Sequence, residues 1–87
     1  MAEPTITLKL YASLTDYLPV DVRQSHRQTL ALPEGTTISD VIGRQGLPPK
    51  MCHLVLVNGH FVPAVERSQR VLAPGDELAI WPPVAGG

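Results

Sequence analysis

The sequence carries one cysteine, Cys52, in 87 residues. That excludes an intramolecular disulfide, a cysteine-only zinc site and a four-cysteine iron–sulfur cluster. Its three histidines, His26, His53 and His60, lack the HxxxH or HExxH spacing that sets two imidazoles on one helix face, so no metal site is expected. An excess of charge of one sign is also missing. Seven Lys+Arg against eight Asp+Glu leave a formal net charge of −1, and without a basic surplus to hold a phosphate backbone no nucleic-acid partner is expected. No uninterrupted apolar run exceeds four residues, as in Leu54 to Val57, far short of the roughly 20 residues that span a bilayer, so no membrane partner is expected either. Met1-Ala2-Glu3-Pro4-Thr5 has neither the basic start nor the apolar stretch of a signal peptide, and a cytoplasmic location is the default expectation.

Glycine and proline are plentiful, at seven and nine residues, so turns must be frequent and regular elements short. At 9.4 kDa there is room for one domain, which buries only about 60–65% of its unfolded surface. A core that thin rarely encloses a large active site, which points to a module that works with a partner.

Thr5 to Tyr11 alternates, with Ile6, Leu8 and Leu10 on one face and Thr5, Thr7 and Lys9 on the other, the pattern of a half-buried strand. From Ser13 to Val22, Leu14, Tyr17 and Leu18 sit at helix-like spacing, but Pro19 stops anything long. Arg27 to Leu32 reads as a second strand. After the turn Pro33-Glu34-Gly35, Thr37 and Asp40 form a capping-box pair at a helix start, and Ile38, Val41 and Ile42 supply an apolar stripe. Gly46 and Pro48-Pro49 end that helix near Gln45. Leu54-Val55-Leu56-Val57 is continuously apolar, as expected for a central strand covered on both faces or nearly so. Asn58-Gly59 signals a type I′ hairpin into a return strand at Phe61-Val62, which Pro63 ends. Pro74-Gly75-Asp76 makes a further turn before a last strand, Glu77 to Trp81, with Leu78 and Ile80 inward and Ala79 and Trp81 outward.

Strand, strand, helix, strand, strand, strand in so short a chain predicts an α+β fold of the β-grasp (ubiquitin-like) type, a mixed sheet of four to five strands packed on one main helix. Residues 1–83 form the domain and 84–87 a flexible C-terminal tail. Two prolines, Pro82 and Pro83, stiffen its departure, and a carboxylate at the end of Gly86-Gly87 has no Cβ beside it, so it can thread a narrow channel in another protein. A two-glycine end is otherwise a frayed terminus.

The segment Gly75-Asp76-Glu77-Leu78-Ala79-Ile80-Trp81-Pro82-Pro83-Val84-Ala85-Gly86-Gly87 resembles the C-terminal signature of the MoaD/ThiS sulfur-carrier family, and most closely that of the small subunit of molybdopterin synthase. The likeness extends back through Val57-Asn58-Gly59 and the Thr37-capped helix to the first strand. Pro82-Pro83-Val84 favours the molybdopterin branch over the thiamine branch, while Ser13 to Gln24 departs from the commoner short loop. The resemblance implies that an ATP-dependent adenylating enzyme activates the Gly87 carboxylate and that a persulfide sulfur donor converts it to a thiocarboxylate. Gly86, Ala85 and Val84 would thread the tail into the large subunit of molybdopterin synthase, where the sulfur passes to a pyranopterin precursor. No cofactor would be bound permanently; ATP is used by the activating partner. The chain would be a non-catalytic, sulfur-donating subunit of a sulfurtransferase.

Trp81, the single tryptophan, projects away from Leu78 and Ile80 and is a candidate docking anchor together with Pro82, Pro83 and Phe61; a packed aromatic on the far side of the sheet and an ordinary core phenylalanine are the plainer readings. Cys52 reads as a small buried thiol, and Arg67 and Arg70 as solvated loop charges. Asp76 and Glu77 are turn residues, since an extended strand puts Glu77 about 30 Å from Gly87 at roughly 3.3 Å per residue. A carrier for thiamine thiazole, tRNA thiolation or another recipient, a ubiquitin-like protein modifier and a plain binding module remain alternatives.

Overall fold

The structure, a computed structural model, describes residues 4–83; the expected tail, Val84 to Gly87, lies outside the described residues. Five strands form one mixed sheet: β1 (Thr5–Leu10), β2 (Arg27–Ala31), β3 (Leu54–Val57), β4 (His60–Phe61) and β5 (Glu77–Trp81), in the spatial order β2-β1-β5-β3-β4. β1 and β2 are antiparallel, β1 and β5 parallel, and β3 runs antiparallel to both β5 and β4. The helix α1 (Ile38–Arg44) provides the crossover, and the architecture is the β-grasp expected from the element order.

Alternation explains where the core lies. Ile6, Leu8 and Leu10 of β1, Leu78 and Ile80 of β5 and Val55 and Val57 of β3 all point to the helix side and are buried, together with Ile38, Val41 and Ile42 of α1. Each such side chain contributes roughly 1.5–3 kcal/mol on burial. The segment between β1 and β2 forms two 3-10 turns, Ala12–Tyr17 and Val20–Ser25. Pro19 separates them, and Leu14 and Leu18 plug into the core as their spacing suggested while Tyr17 remains 40% exposed.

At the start of α1 the Thr37 hydroxyl accepts from the Asp40 amide and the Asp40 carboxylate accepts from the Thr37 amide, a complete capping box. At its end Leu47 N–H bonds Ile42 C=O and Gly46 N–H bonds Gly43 C=O, with Gly46 at φ +70°. That is a Schellman motif, and the left-handed residue it requires is supplied by glycine. The hairpin turn has Asn58 at φ +52° and Gly59 at φ +83°, as a type I′ turn demands. Asn58 also ties two turns together: its Nδ2 donates to Asp76 Oδ1, its Oδ1 accepts from Glu77 N–H, and Asp76 Oδ2 accepts from Ala73 N–H.

Two expectations are corrected. β3 is covered on one face only, with Val55 and Val57 buried and Leu54 and Leu56 half-exposed. A single short helix cannot cover both sides of a five-stranded sheet. Arg67, expected to be solvated, is buried at 9% exposure and donates through Nη1 to Cys52 C=O (2.7 Å) and through Nη2 to His53 C=O (3.3 Å). Its guanidinium is spent on carbonyls just before β3, pinning the loop after β4 to the sheet; Arg70 is exposed.

The capping box makes two predictions. Thr37→Ala should cost about 1 kcal/mol in urea unfolding. The two hydrogen bonds to Thr37, amide first and then hydroxyl, hold the Asp40 carboxyl below its ordinary value of 3.8. A carboxyl lowered in the folded state stabilises the protein above its unfolded value, and that contribution is lost as pH falls through the lowered folded value. Asp40→Asn should therefore flatten the acid limb of the stability–pH curve, measured by denaturant midpoints across the pH series.

Candidate functional site

The sheet face opposite α1 has no second layer among the described residues, and its side chains fall into three rows across the strands. The first row lies at the end from which the chain leaves β5. Here the Trp81 and Tyr11 rings stack with centroids 4.3 Å apart and planes within 2°. Tyr11 in turn stacks on His26 at 5.6 Å and 15°. Leu54 pairs with Trp81 in the β3–β5 register, continuing the row on its other side. The backbone fixes this arrangement: Tyr11 N–H bonds Ile80 C=O and His53 N–H bonds Trp81 C=O. His26 reaches Tyr11 because it adopts φ +61° as the Val20–Ser25 turn ends.

In the second row, Ala79 pairs with Leu56 and Lys9, and Leu56 pairs with Phe61 across the hairpin. Phe61 is 59% exposed. Ala79 is buried although it faces outward, because its methyl lies below the taller side chains on either side. The third row turns polar: Thr7 pairs with Glu77, and the Glu77 carboxylate meets Lys9 Nζ at 3.0 Å. Lys9 is mostly covered and Glu77 about half exposed, so solvent still screens the pair, which contributes about 1 kcal/mol or less.

The open face is thus graded, apolar and aromatic where the chain leaves β5 and polar at the far end. An apolar patch rimmed by polar groups beside a chain exit fits protein docking. Of the expected docking residues, Trp81 is half-buried by its stack and Phe61 is exposed on the same face; Pro82 is buried within the chain and Pro83 exposed. Gly87, Gly86, Ala85 and Val84 lie outside the described residues; Trp81 and Phe61 share the open face, whereas the buried Pro82 offers no surface to a partner. Sequence reading missed Tyr11, His26, Leu54 and Leu56. The signal for the leucines was the absence of alternation in Leu54-Val55-Leu56-Val57: where one helix covers one face, an apolar residue on the other face is left for a partner. For Tyr11 it was the outward set Thr5, Thr7, Lys9, which ends in an aromatic.

Cys52 is buried, its thiol lies 3.5 Å from Pro48 C=O, and desolvation pushes its pKa up, partly offset by the Arg67 charge. A thiol so placed is a poor thiolate source. Among the described residues no group of three or more His, Cys, Asp or Glu could hold a metal ion, and no helix is long and apolar enough to cross a membrane.

Trp81 carries a structural load that Phe61 does not. Trp81→Ala should lower the unfolding free energy by about 1–3 kcal/mol, through lost area and the lost stack. Phe61→Ser should stay within about 0.5 kcal/mol. Urea titrations followed by circular dichroism check both.

Solved structures share this architecture over most of their length. SAMP1 from Haloferax volcanii is 25% identical, with 95% of this chain and 99% of that one covered and a TM-score of 0.65. The Haloferax volcanii HVO 2177 protein is 23% identical over 97% of this chain and 87% of that one, with a TM-score of 0.71. A candidate molybdopterin converting factor, subunit 1, from Pyrococcus furiosus is 20% identical over 94% of this chain and 100% of that one, with a TM-score of 0.69. No curated protein matches the sequence significantly. The ThiS family model matches residues 12–87, from the first 3-10 turn to the last glycine, and the chain belongs to the ThiS family.

Proposed function

We propose that the chain is a sulfur carrier that serves as the small subunit of molybdopterin synthase, with Gly87 as its reactive residue. The observation that carries the reading is that the ThiS family match runs through Gly87. The graded face at the root of the tail supports it by supplying a docking surface.

The chemistry follows from what a carboxylate lacks. A free carboxylate is a poor electrophile, so an activating enzyme transfers AMP from ATP to the Gly87 carboxylate and pyrophosphate leaves. The terminal sulfur of a persulfide donor then attacks the acyl carbon and AMP departs. A thiol cleaves the resulting acyl disulfide, leaving the thiocarboxylate on Gly87 and a disulfide on the donor side. The charged carrier docks through Trp81, Leu54, Leu56 and Phe61, and Gly86, with no Cβ, lets the end enter the large subunit. There the thiocarboxylate sulfur attacks a carbon of a pyranopterin precursor and displaces an oxygen leaving group. Water then hydrolyses the resulting thioester, which leaves the sulfur on the product and returns Gly87 as a carboxylate, and two such rounds install a dithiolene. This chain contributes the nucleophilic sulfur; acid–base groups come from the partner. Cys52, buried and with a raised pKa, takes no part in the relay.

Pro82-Pro83-Val84 supports the molybdopterin recipient. The likeness to SAMP1, which is a small archaeal modifier protein of Haloferax volcanii, favours a second reading, an isopeptide bond from Gly87 to protein lysines. Both readings share the adenylate and differ in what attacks it.

Intact mass after incubation with ATP, a sulfide source and the activating enzyme tests the carrier chemistry. Replacement of one oxygen by sulfur is expected, and none in a chain lacking Gly86-Gly87; an unchanged mass overturns the carrier. Loss of that sulfur on adding the large subunit and precursor supports the molybdopterin assignment, whereas lysine-linked conjugates in its place support the modifier. Leu56→Lys should weaken capture by the large subunit about tenfold or more without preventing thermal refolding.

A further inference from the structure

The two edges of the sheet are built differently. β4 is two residues long and runs into Pro63, so it offers almost nothing for another strand to pair with. β2 has five residues, Arg27-Gln28-Thr29-Leu30-Ala31, without a proline or an inward charge. Its pairing with β1 fixes which groups face out. Leu10 N–H bonds His26 C=O at one end of the ladder and Leu32 N–H bonds Pro4 C=O at the other, so the even-numbered residues bond inward. Arg27, Thr29 and Ala31 therefore turn three N–H and three C=O groups outward, and none of these has a backbone partner among the described residues. All three residues are exposed. A strand of this length with a free, regular ladder is a pairing template.

We propose that a second copy of this chain occupies that edge, β2 against β2 antiparallel, with Thr29 on the two-fold axis. In this register Thr29 faces Thr29 of the second copy, and each Arg27 faces the other's Ala31. All the outward groups pair, giving six interchain hydrogen bonds. The side chains suit self-pairing. Thr–Thr is a favourable cross-strand pair. Arg27 is the single charge in the strand, and the antiparallel register holds the two arginines about 13 Å apart along the strand axis, whereas parallel pairing would set them side by side. Gln28 and Leu30, half-buried on the helix side, would face each other across the axis, so the stem of each Gln28 covers the opposite Leu30 at the thin margin of the core. A net charge of −1 presents little repulsion between copies.

The geometry has a consequence for any chemistry at the tail. Antiparallel pairing makes one sheet of ten strands, with both helices on one side and both open faces on the other. β5 of one copy runs opposite to β5 of the other, so the two chains leave their sheets at opposite ends. Each open face stays free for its own partner. This inference does not depend on the sulfur-carrier reading.

Sedimentation equilibrium of the full chain over a concentration series tests it. The expected result is a mass rising with concentration from 9.4 kDa toward twice that value. Thr29→Lys sets two ammonium groups opposite each other on the axis and should hold the mass at the monomer value. Because Thr29 is exposed, that variant should keep the circular dichroism spectrum and the melting temperature of the wild type at concentrations where both are monomeric. Amide hydrogen exchange read residue by residue supplies an independent check. The amides of Arg27, Thr29 and Ala31 should slow tenfold or more at dimer-forming concentrations, while those of Gln28 and Leu30, already bonded to β1, should not change. A monomer at every concentration up to about 1 mM, in the weak range of association, overturns the proposal. So does a dimer that Thr29→Lys leaves intact, or one in which the Arg27, Thr29 and Ala31 amides exchange as in the monomer.

Discussion

A single short helix against five strands is the constraint from which the rest of this structure follows. α1 has seven residues, too few to be stable alone, and it holds its shape because a capping box closes one end, a Schellman motif closes the other, and Ile38, Val41 and Ile42 sink into the sheet. One such helix buries one face. The opposite face must either be polar or be finished by something else, and here it divides: Lys9 and Glu77 at one end, Trp81, Tyr11, Leu54, Leu56 and Phe61 toward the other. The division follows the strands, since β1 and β5 both run from the polar end to the aromatic one.

The parallel pairing of β1 with β5 at the centre of the sheet is what sets the chemistry apart from the fold. It carries the chain out at the end where Tyr11 and Trp81 stack, so a partner that grips the aromatic row has the departing chain beside it. In the proposed function the domain is a handle, and the reactive group proposed for Gly87 needs no acid or base nearby. This accounts for the scarcity of catalytic side chains: Cys52 is sealed under Pro48 and Arg67, and Asp76 is committed to holding turns together through Asn58 and Ala73.

Burial of a charged side chain far from that face shows the same economy. Arg67 gives two hydrogen bonds to the carbonyls of Cys52 and His53, where β3 has not yet begun and no strand neighbour can take them. Buried carbonyls left unpaired cost about 1–3 kcal/mol each, and a long guanidinium from the loop after β4 is the group within reach. The residue thus belongs to the scaffold, with two carbonyl dipoles in place of an acidic partner.

Local rules alone determined much of this protein. The alternation of Ile6, Leu8 and Leu10 makes β1, Thr37 with Asp40 starts the helix, Gly46 ends it, and Asn58-Gly59 turns the hairpin. Each depends on a periodicity or a backbone conformation that neighbouring residues impose, which is why a sequence displays them. The tertiary structure decided what depends on residues distant in sequence. It left Leu54 and Leu56 uncovered, because coverage depends on how many helices pack on the sheet and not on β3 itself. It joined His26, Tyr11 and Trp81 in one stack, because strand order brings residues 15 and 70 positions apart into register. It buried Arg67, because two carbonyls at the root of another strand required a donor. Strand pairing and layer packing are properties of the whole chain, and no short window of sequence contains them.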